Sequence, residues 1–178
     1  MNIELRQATT TDIPALEKLI CASVTVLSAE HYTTEQISSA LTHVFGVDTQ
    51  LIADGTYFVA EIDGQLAGSG GWSKRTTLFG GDQSKADTID SLLDPATEAA
   101  RIRAFYVHPQ WSRRGVGSRI LAACEQAARA AGFSRIELVA TLPGEPLYAA
   151  HGYEKAEAMQ LETPDGESLP AFRMTKSL

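Results

Sequence analysis

Basic residues, cysteines and long apolar runs are all scarce in this chain, and each scarcity removes a class of function. Only 15 lysines and arginines stand against 22 aspartates and glutamates over 178 residues, a net charge of −7. The resulting pI near 5.1 argues against nucleic acid as the main partner, because a phosphate backbone calls for a basic face. The same balance suits a cationic or amine-bearing substrate. The two cysteines, Cys21 and Cys124, form neither a CxxC pair nor a Cys/His cluster. No metal site is therefore expected, and both are read as buried free thiols on helices. No apolar run approaches the roughly 20 residues that span a bilayer, and no basic-then-apolar leader opens the chain. A cytoplasmic protein with no membrane partner is the expectation. The 44% of hydrophobic residues suffice for one core, so residues 1–178 are read as one domain.

What is present concentrates in Arg101–Leu121, RIRAFYVHPQWSRRGVGSRIL. Arg101–Val107 mixes β-branched, aromatic and basic residues, which suits a strand. His108-Pro109 stops it, because proline has no N–H for a ladder and holds the preceding residue extended. From Gly115 onward Val116, Ile120, Ala123, Cys124 and Ala127 recur at helical spacing, and Gly132 stands where a helix-ending glycine belongs. Free N–H groups at such a helix start, with the positive end of its dipole, suit an anion. Gly115 and Gly117 remove the Cβ atoms that would hold a phosphate away, and Arg113, Arg114 and Arg119 add charge. The bland alternative is a glycine-rich turn into a core helix. A Walker loop does not fit, because no Lys-Ser or Lys-Thr follows the glycines. A dinucleotide fingerprint fits poorly too: Ile120 occupies its third glycine, and seven residues separate Val107 from Gly115.

The rest of the chain alternates strand and helix patterns. Asn2–Ala8 reads as a strand, and Thr9–Asp12 offers caps for a helix carrying Ile13, Leu16, Leu19, Ile20 and Val24. A second helix starts at Thr33, with Gln36 completing a capping box, and buries Ile37, Leu41 and Val44. Tyr57–Ile62 and Gln65–Trp72 flank Asp63-Gly64, a strong hairpin signal. Glycines at 68, 70 and 71 leave room there for a ligand or another backbone. Residues 73–100 are polar and poorly periodic, with Asp82, Asp87, Asp90, Asp94 and Glu98 among them. So long a loop, between strands that should flank the cleft, reads as a lid or specificity element, or as a solvated insertion. Arg135–Thr141 is a buried strand, completing a right-handed βαβ unit. Glu145–His151 reads as a short helix ended by Gly152. Glu154–Glu162, the turn at Asp165-Gly166 and Ser168–Lys176 make a closing hairpin.

The Ser112–Ser118 run resembles the acetyl-coenzyme A signature of the GNAT superfamily of N-acetyltransferases, Arg/Gln-x-x-Gly-x-Gly/Ala after a strand and a V-x-P-like loop. Here these are Gly115, Gly117 and Val107-His108-Pro109. Ser112 stands where the family has arginine or glutamine, which leaves Arg113 or Arg114 to supply the charge. Leu147-Tyr148-Ala149-Ala150-His151-Gly152-Tyr153 is similar to the family's F-Y-x-x-x-G-F segment. The resemblance implies an α/β (α+β) fold: one mixed, twisted sheet of about six to seven strands flanked by helices, with its central parallel strands splayed. It implies that the main chain of Phe105, Tyr106 and Val107 receives the pantetheine arm. Arg113, Arg114, Gly115, Val116, Gly117 and Ser118 would hold the pyrophosphate. Tyr148 falls on the tyrosine that serves as general acid. Thr141 replaces an asparagine that many members use on the cofactor. The helix-loop-helix around residues 28–32 would form a wall of the acceptor site, making His31 and Tyr32 candidate substrate contacts; the plainer reading is a polar cap with an anchoring aromatic. Family members often pair, so a homodimer is the partner it allows.

Such chemistry has a primary amine, on a small molecule or peptide, attack the thioester of acetyl-CoA directly while a thiolate leaves. An alkyl amine is neutral about once in 10³ at pH 7, a cost of roughly 4 kcal/mol unless the site lowers it. Glu98 is the nearest acid before the central strand and the candidate base, with a water chain as the alternative. His108 reads as a strand-ending polar residue. Transfer of another acyl group or to another acceptor, and a non-catalytic coenzyme A sensor, stay open beside N-acetylation.

Overall fold

The computed structural model describes residues 2–85 and 89–178. Asp87, counted above among the loop acids, lies outside the described residues. In chain order the elements are β1 (Glu4–Gln7), α1 (Ile13–Leu27), α2 (Thr34–His43), α3 (Thr49–Ala53), β2 (Tyr57–Ile62), β3 (Gln65–Ser73), β4 (Ala100–Val107), α4 (Val116–Ala130), β5 (Arg135–Thr141), α5 (Glu145–Ala150), β6 (Glu154–Glu162) and β7 (Ser168–Ser177). The strands form one seven-stranded sheet in the order β1-β2-β3-β4-β5-β7-β6. All neighbours are antiparallel except β4 and β5, which α4 joins in parallel.

Local chemistry accounts for the boundaries. Thr33 Oγ1 accepts from the Gln36 amide at 3.1 Å while the Gln36 side chain accepts from the Thr33 amide at 2.9 Å, the reciprocal cap expected for α2. The Asp63-Gly64 turn has both residues at positive φ, 51° and 73°, as a tight hairpin turn requires. Gly132 sits at φ 93° and Phe133 N–H reaches back to Ala128 C=O, closing α4. The five-residue α3 carried no periodic signal; Asp48 caps it by accepting from the Leu51 amide.

Helices cover both faces of the sheet. α4 and α5 close one side over Ile102, Ile120, Leu121, Ile136, Leu138 and Tyr148. On the other, α1 and α2 pack Ile20, Val24, Ile37 and Ala40 against Leu161, Leu169 and Ala171 of the closing hairpin. Cys124 lies in the first core, but Cys21 is exposed, which corrects the expectation of two buried thiols. The inward face of α1 is set by Leu16, Leu19, Ile20, Ser23 and Val24, and position 21 points away from it.

Two irregularities shape the centre. β4 carries one extra residue opposite Gly70, with Ala104 at φ 51°, a bulge that bends the strand. The bulge brings the Phe105 ring over Gly70, where a Cβ would meet Cδ2 at 2.4 Å. The lost side chains in β3 therefore make room for packing, from β4 and α4 at Gly68 and Gly70 and from Leu51 of α3 at Gly71, not for a ligand. The second irregularity is a gap. β4 and β5 pair only at Ala100–Ile136 and Arg101–Glu137, at one end of both strands. Beyond Arg101 the two diverge, which is the expected splay.

The long stretch between β3 and β4 is pinned at several points. Arg75 bridges back to Leu92 and pairs with Asp54 at 2.7 Å. Arg103, fully buried in β4, donates to Thr77 C=O at 3.0 Å and lies 3.1 Å from Asp48 and 3.4 Å from Asp90. Lys85 reaches the same Asp48 at 2.7 Å. Among the described residues no helix is long and apolar enough to cross a membrane.

Candidate active site

A cavity of about 500 Å³ opens where β4 and β5 part, and it passes from the start of α4 to the inner face of α1. At its first end the chain leaves β4 through His108, whose Nδ1 accepts from the Gln110 amide at 3.2 Å. A short turn follows, and then Arg113 and Gly115 both take positive φ, 60° and 86°. An added Cβ at Gly115 would meet nothing within 4 Å, so its glycine is explained by backbone conformation and not by crowding.

This path leaves the first turn of α4 open. Among the described residues, no amide from Arg113 to Ser118 donates to a protein acceptor; the first bonded donor is Arg119, to Gly115 C=O at 3.0 Å. Consecutive free N–H groups at the positive end of a fifteen-residue helix fit a diphosphate. Ser112, Arg113, Gly115, Val116, Gly117 and Ser118 all face the cavity. Arg114 does not: its guanidinium lies over the Trp111 ring, 5.3 Å from the centroid. Of the two arginines that follow Ser112, Arg113 is the one on the cavity.

Further in, Phe105, Tyr106 and Val107 line the unpaired edge of β4, and Val139 and Thr141 line the edge of β5. Main-chain groups along a splayed pair are free to accept a ligand as an added strand. Tyr148 comes from α5 and stands beside the gap, its ring edge-on to Phe105 at 5.9 Å and to Tyr153 at 5.7 Å. Burial pushes its phenol well above its ordinary range, so it is protonated throughout neutral pH. It is a hydrogen-bond donor by default.

The other candidates lie elsewhere. Glu98 is exposed in the turn before β4, where its carboxylate accepts from the Asp94 amide at 2.7 Å. That is the end at which β4 and β5 are paired, away from the cavity. His31 is exposed and off the cavity. Tyr32 is buried, and its hydroxyl donates to Pro170 C=O at 2.7 Å and accepts from the Leu142 amide at 2.8 Å. It ties α2's entry to the closing hairpin; the wall that α1 gives the cavity is built instead by Ser23, Val24, Leu27 and Ser28.

Sequence reasoning missed four contributors. His151 lines the cavity and its Nε2 lies 2.9 Å from Ser118 Oγ, bracing the first turn of α4. Its position three residues after Tyr148, on the same helical side, was the available signal. Phe45 and Phe79 close the far wall, and Arg103 stands behind them. Only the fold brings these together.

Comparison with known proteins agrees with this geometry. The family model described as the acetyltransferase (GNAT) family matches residues 24–153, well over half of the chain. A GCN5-related N-acetyltransferase from Rhodopseudomonas palustris is 23% identical, with a TM-score of 0.74 over 100% of this chain and 97% of that one. The PaiA N-acetyltransferase of Thermoplasma acidophilum, solved with coenzyme A, is 16% identical with a TM-score of 0.67, covering both chains fully. The yncA structure from Salmonella typhimurium, solved with acetyl-CoA, is 17% identical with a TM-score of 0.64 over 100% of this chain and 95% of that one. No curated protein sequence matches the chain. With a seven-stranded mixed sheet, a splayed parallel pair and a family match spanning α1 to the end of α5, the chain belongs to the GNAT family of acetyltransferases.

Proposed function

We propose that the protein transfers acetyl from acetyl-CoA to a primary amine by direct attack. The free amides of residues 113–118, opening onto a cavity that runs into the β4–β5 gap, carry this reading. They would grip the diphosphate with Arg113 beside them, and Gly117 would let it approach. The pantetheine arm would follow the unpaired edge of β4 at Phe105, Tyr106 and Val107. That aims the thioester between the sheets' diverging strands, toward the wall made by α1.

Tyr148 would donate a hydrogen bond to the departing sulfur. A thiol's ordinary pKa is about 8.5, below that of this raised phenol, so the phenol stabilises a thiolate without surrendering its proton outright. Glu98 is not part of this proposal, because its carboxylate is spent on the turn at Asp94. With no carboxylate base assigned, loss of the amine's proton to water before or during entry is the route the geometry favours.

The test joins two measurements. Calorimetry should show saturable binding of acetyl-CoA, and a thiol reagent should report coenzyme A release when a primary amine is added. Absence of binding overturns the phosphate-loop assignment. Tight binding with no thiol released across an amine panel favours a coenzyme A sensor.

A further inference from the structure

Resting on that acetyl-transfer reading, the wall facing the thioester narrows the acceptor. The cavity's far side is formed by Val24, Leu27, Phe45, Phe79, Tyr106 and Val139. Its aliphatic hydroxyls come from Ser23 of α1 and Ser28 just after it. Among the described residues no aspartate or glutamate lines the cavity anywhere. The titratable groups that do face it are Arg103, Tyr106, Arg113, Tyr148 and His151. Arg113 and His151 belong to the cofactor end, and Tyr106 is kept neutral by burial. Arg103 belongs to the lining, but its fully buried guanidinium is paired with Asp48 and Asp90 and offers the far wall no free charge.

An ammonium entering such a space loses its hydration and meets no counter-charge. The net acidity of the chain does not help, because among the described residues no carboxylate lines the cavity. A neutral amine meets no such penalty, and an apolar body behind it gains by burial against the aromatic wall. Size sets the second limit: about 500 Å³ must hold the thioester end of the cofactor as well as the acceptor. We infer that the acceptor is a primary monoamine on a compact apolar body, such as an arylalkylamine, taken up in its uncharged form. Desolvation by the wall then does what a general base would otherwise do, and amines bearing further charges are turned away.

The experiment compares kcat/KM for 2-phenylethylamine, spermidine and a lysine-containing peptide at saturating acetyl-CoA, following thiol release. The expected preference for 2-phenylethylamine over each of the others is at least about 100-fold. Its kcat/KM should rise about tenfold per pH unit until it levels at the free amine's own pKa, and should shift correspondingly with an amine of lower pKa. Benzyltrimethylammonium, which keeps its charge, should not compete at ten times the amine's KM, about the level at which a cation-binding aromatic wall would show itself. Phe79→Asp should reduce the preference for 2-phenylethylamine over spermidine at least about tenfold with acetyl-CoA affinity kept. A preference for spermidine or the peptide, a flat pH profile, or competition by the quaternary ion overturns this inference and leaves acetyl transfer standing. No thiol release with any amine while acetyl-CoA binds overturns both.

Discussion

Tyr148 is a core side chain to which the proposed mechanism also gives a chemical role. Its ring is buried between Phe105 and Tyr153, and that burial is what keeps the phenol a donor. Tyr148→Phe keeps the packing and removes only the hydroxyl. It should lower kcat about 100-fold while leaving the dissociation constant for acetyl-CoA within about twofold. Stopped-flow thiol release and calorimetry on the two proteins check this; parallel loss of affinity and rate would make Tyr148 structural. Because its phenol is raised by burial, Tyr148 should contribute no falling limb to the pH–rate profile up to about pH 10. Its place on the cavity was legible from its position four residues before Gly152, since α5 is local and its spacing survives folding. Those of Tyr32 and Glu98 were not. Whether a tyrosine hydroxyl meets a substrate or Pro170 C=O, more than a hundred residues away in sequence, depends on the sheet's closing hairpin. Glu98 was found by counting back along β4, but a count cannot tell the paired end of a parallel pair from the splayed one.

Single elements are held in place by charges as much as by apolar faces. β1 is fixed to the turn ahead of α1 by Arg6, which donates to Asp12 at 2.8 Å and to Glu61 of β2 at 2.6 Å. The Arg6 hydrogen bond holds the Asp12 carboxyl at about 2, below the usual 3.8. A depressed carboxylate stabilises the fold above its unfolded pKa and loses that contribution as pH falls through the folded value. Between about pH 4 and pH 2 the Arg6–Asp12 pair should therefore give up about 1 kcal/mol, a figure kept small because Arg6 is largely solvated. Asp12→Asn should flatten the acid limb of a urea-denaturation series over that window; an unchanged limb would assign the acid loss to other carboxylates. Arg103 is the stronger case. Replacing it with methionine leaves Asp48 buried with only Lys85 beside it. The cost should be about 3 kcal/mol, lowering the thermal midpoint by roughly 6–12 °C. An unchanged midpoint would mean that Asp48 is served by Lys85 alone. Most elements could be read locally, because caps at Thr33, the Asp63-Gly64 turn and the period of α4 act within a few residues. The five-residue α3 and the pinning of residues 74–85 and 89–99 could not, since Asp48, Arg75 and Arg103 find partners only after the sheet forms.

At the scale of the whole molecule, the sheet is continuous except where β4 leaves β5, and the cavity in that gap joins the start of α4 to the inner face of α1. The divergence leaves strand edges, and the start of α4 leaves six consecutive amides, 113–118, without partners among the described residues. Groups of this kind cost stability when a ligand is absent and return it when one binds. A ligand present at 100 times its dissociation constant adds about 2.7 kcal/mol, which for a chain of this length raises the thermal midpoint by roughly 5–10 °C. Coenzyme A should produce that shift, and dilution of the nucleotide should reverse it. Gly117→Asp is the discriminating variant, because position 117 lies among the free amides and its new Cβ, with the Phe105 ring at an ordinary 3.6 Å, would crowd only the Leu147 side chain, at 3.0 Å. That side chain can move, so the unliganded midpoint should fall by only a few degrees, about 1 kcal/mol of destabilisation. The carboxylate would stand against the diphosphate, and the coenzyme A shift should vanish. If the variant instead melts with the same ligand-induced rise as the parent, the anion sits somewhere other than the start of α4. The splayed sheet would then need another explanation than the cofactor it is shaped to receive.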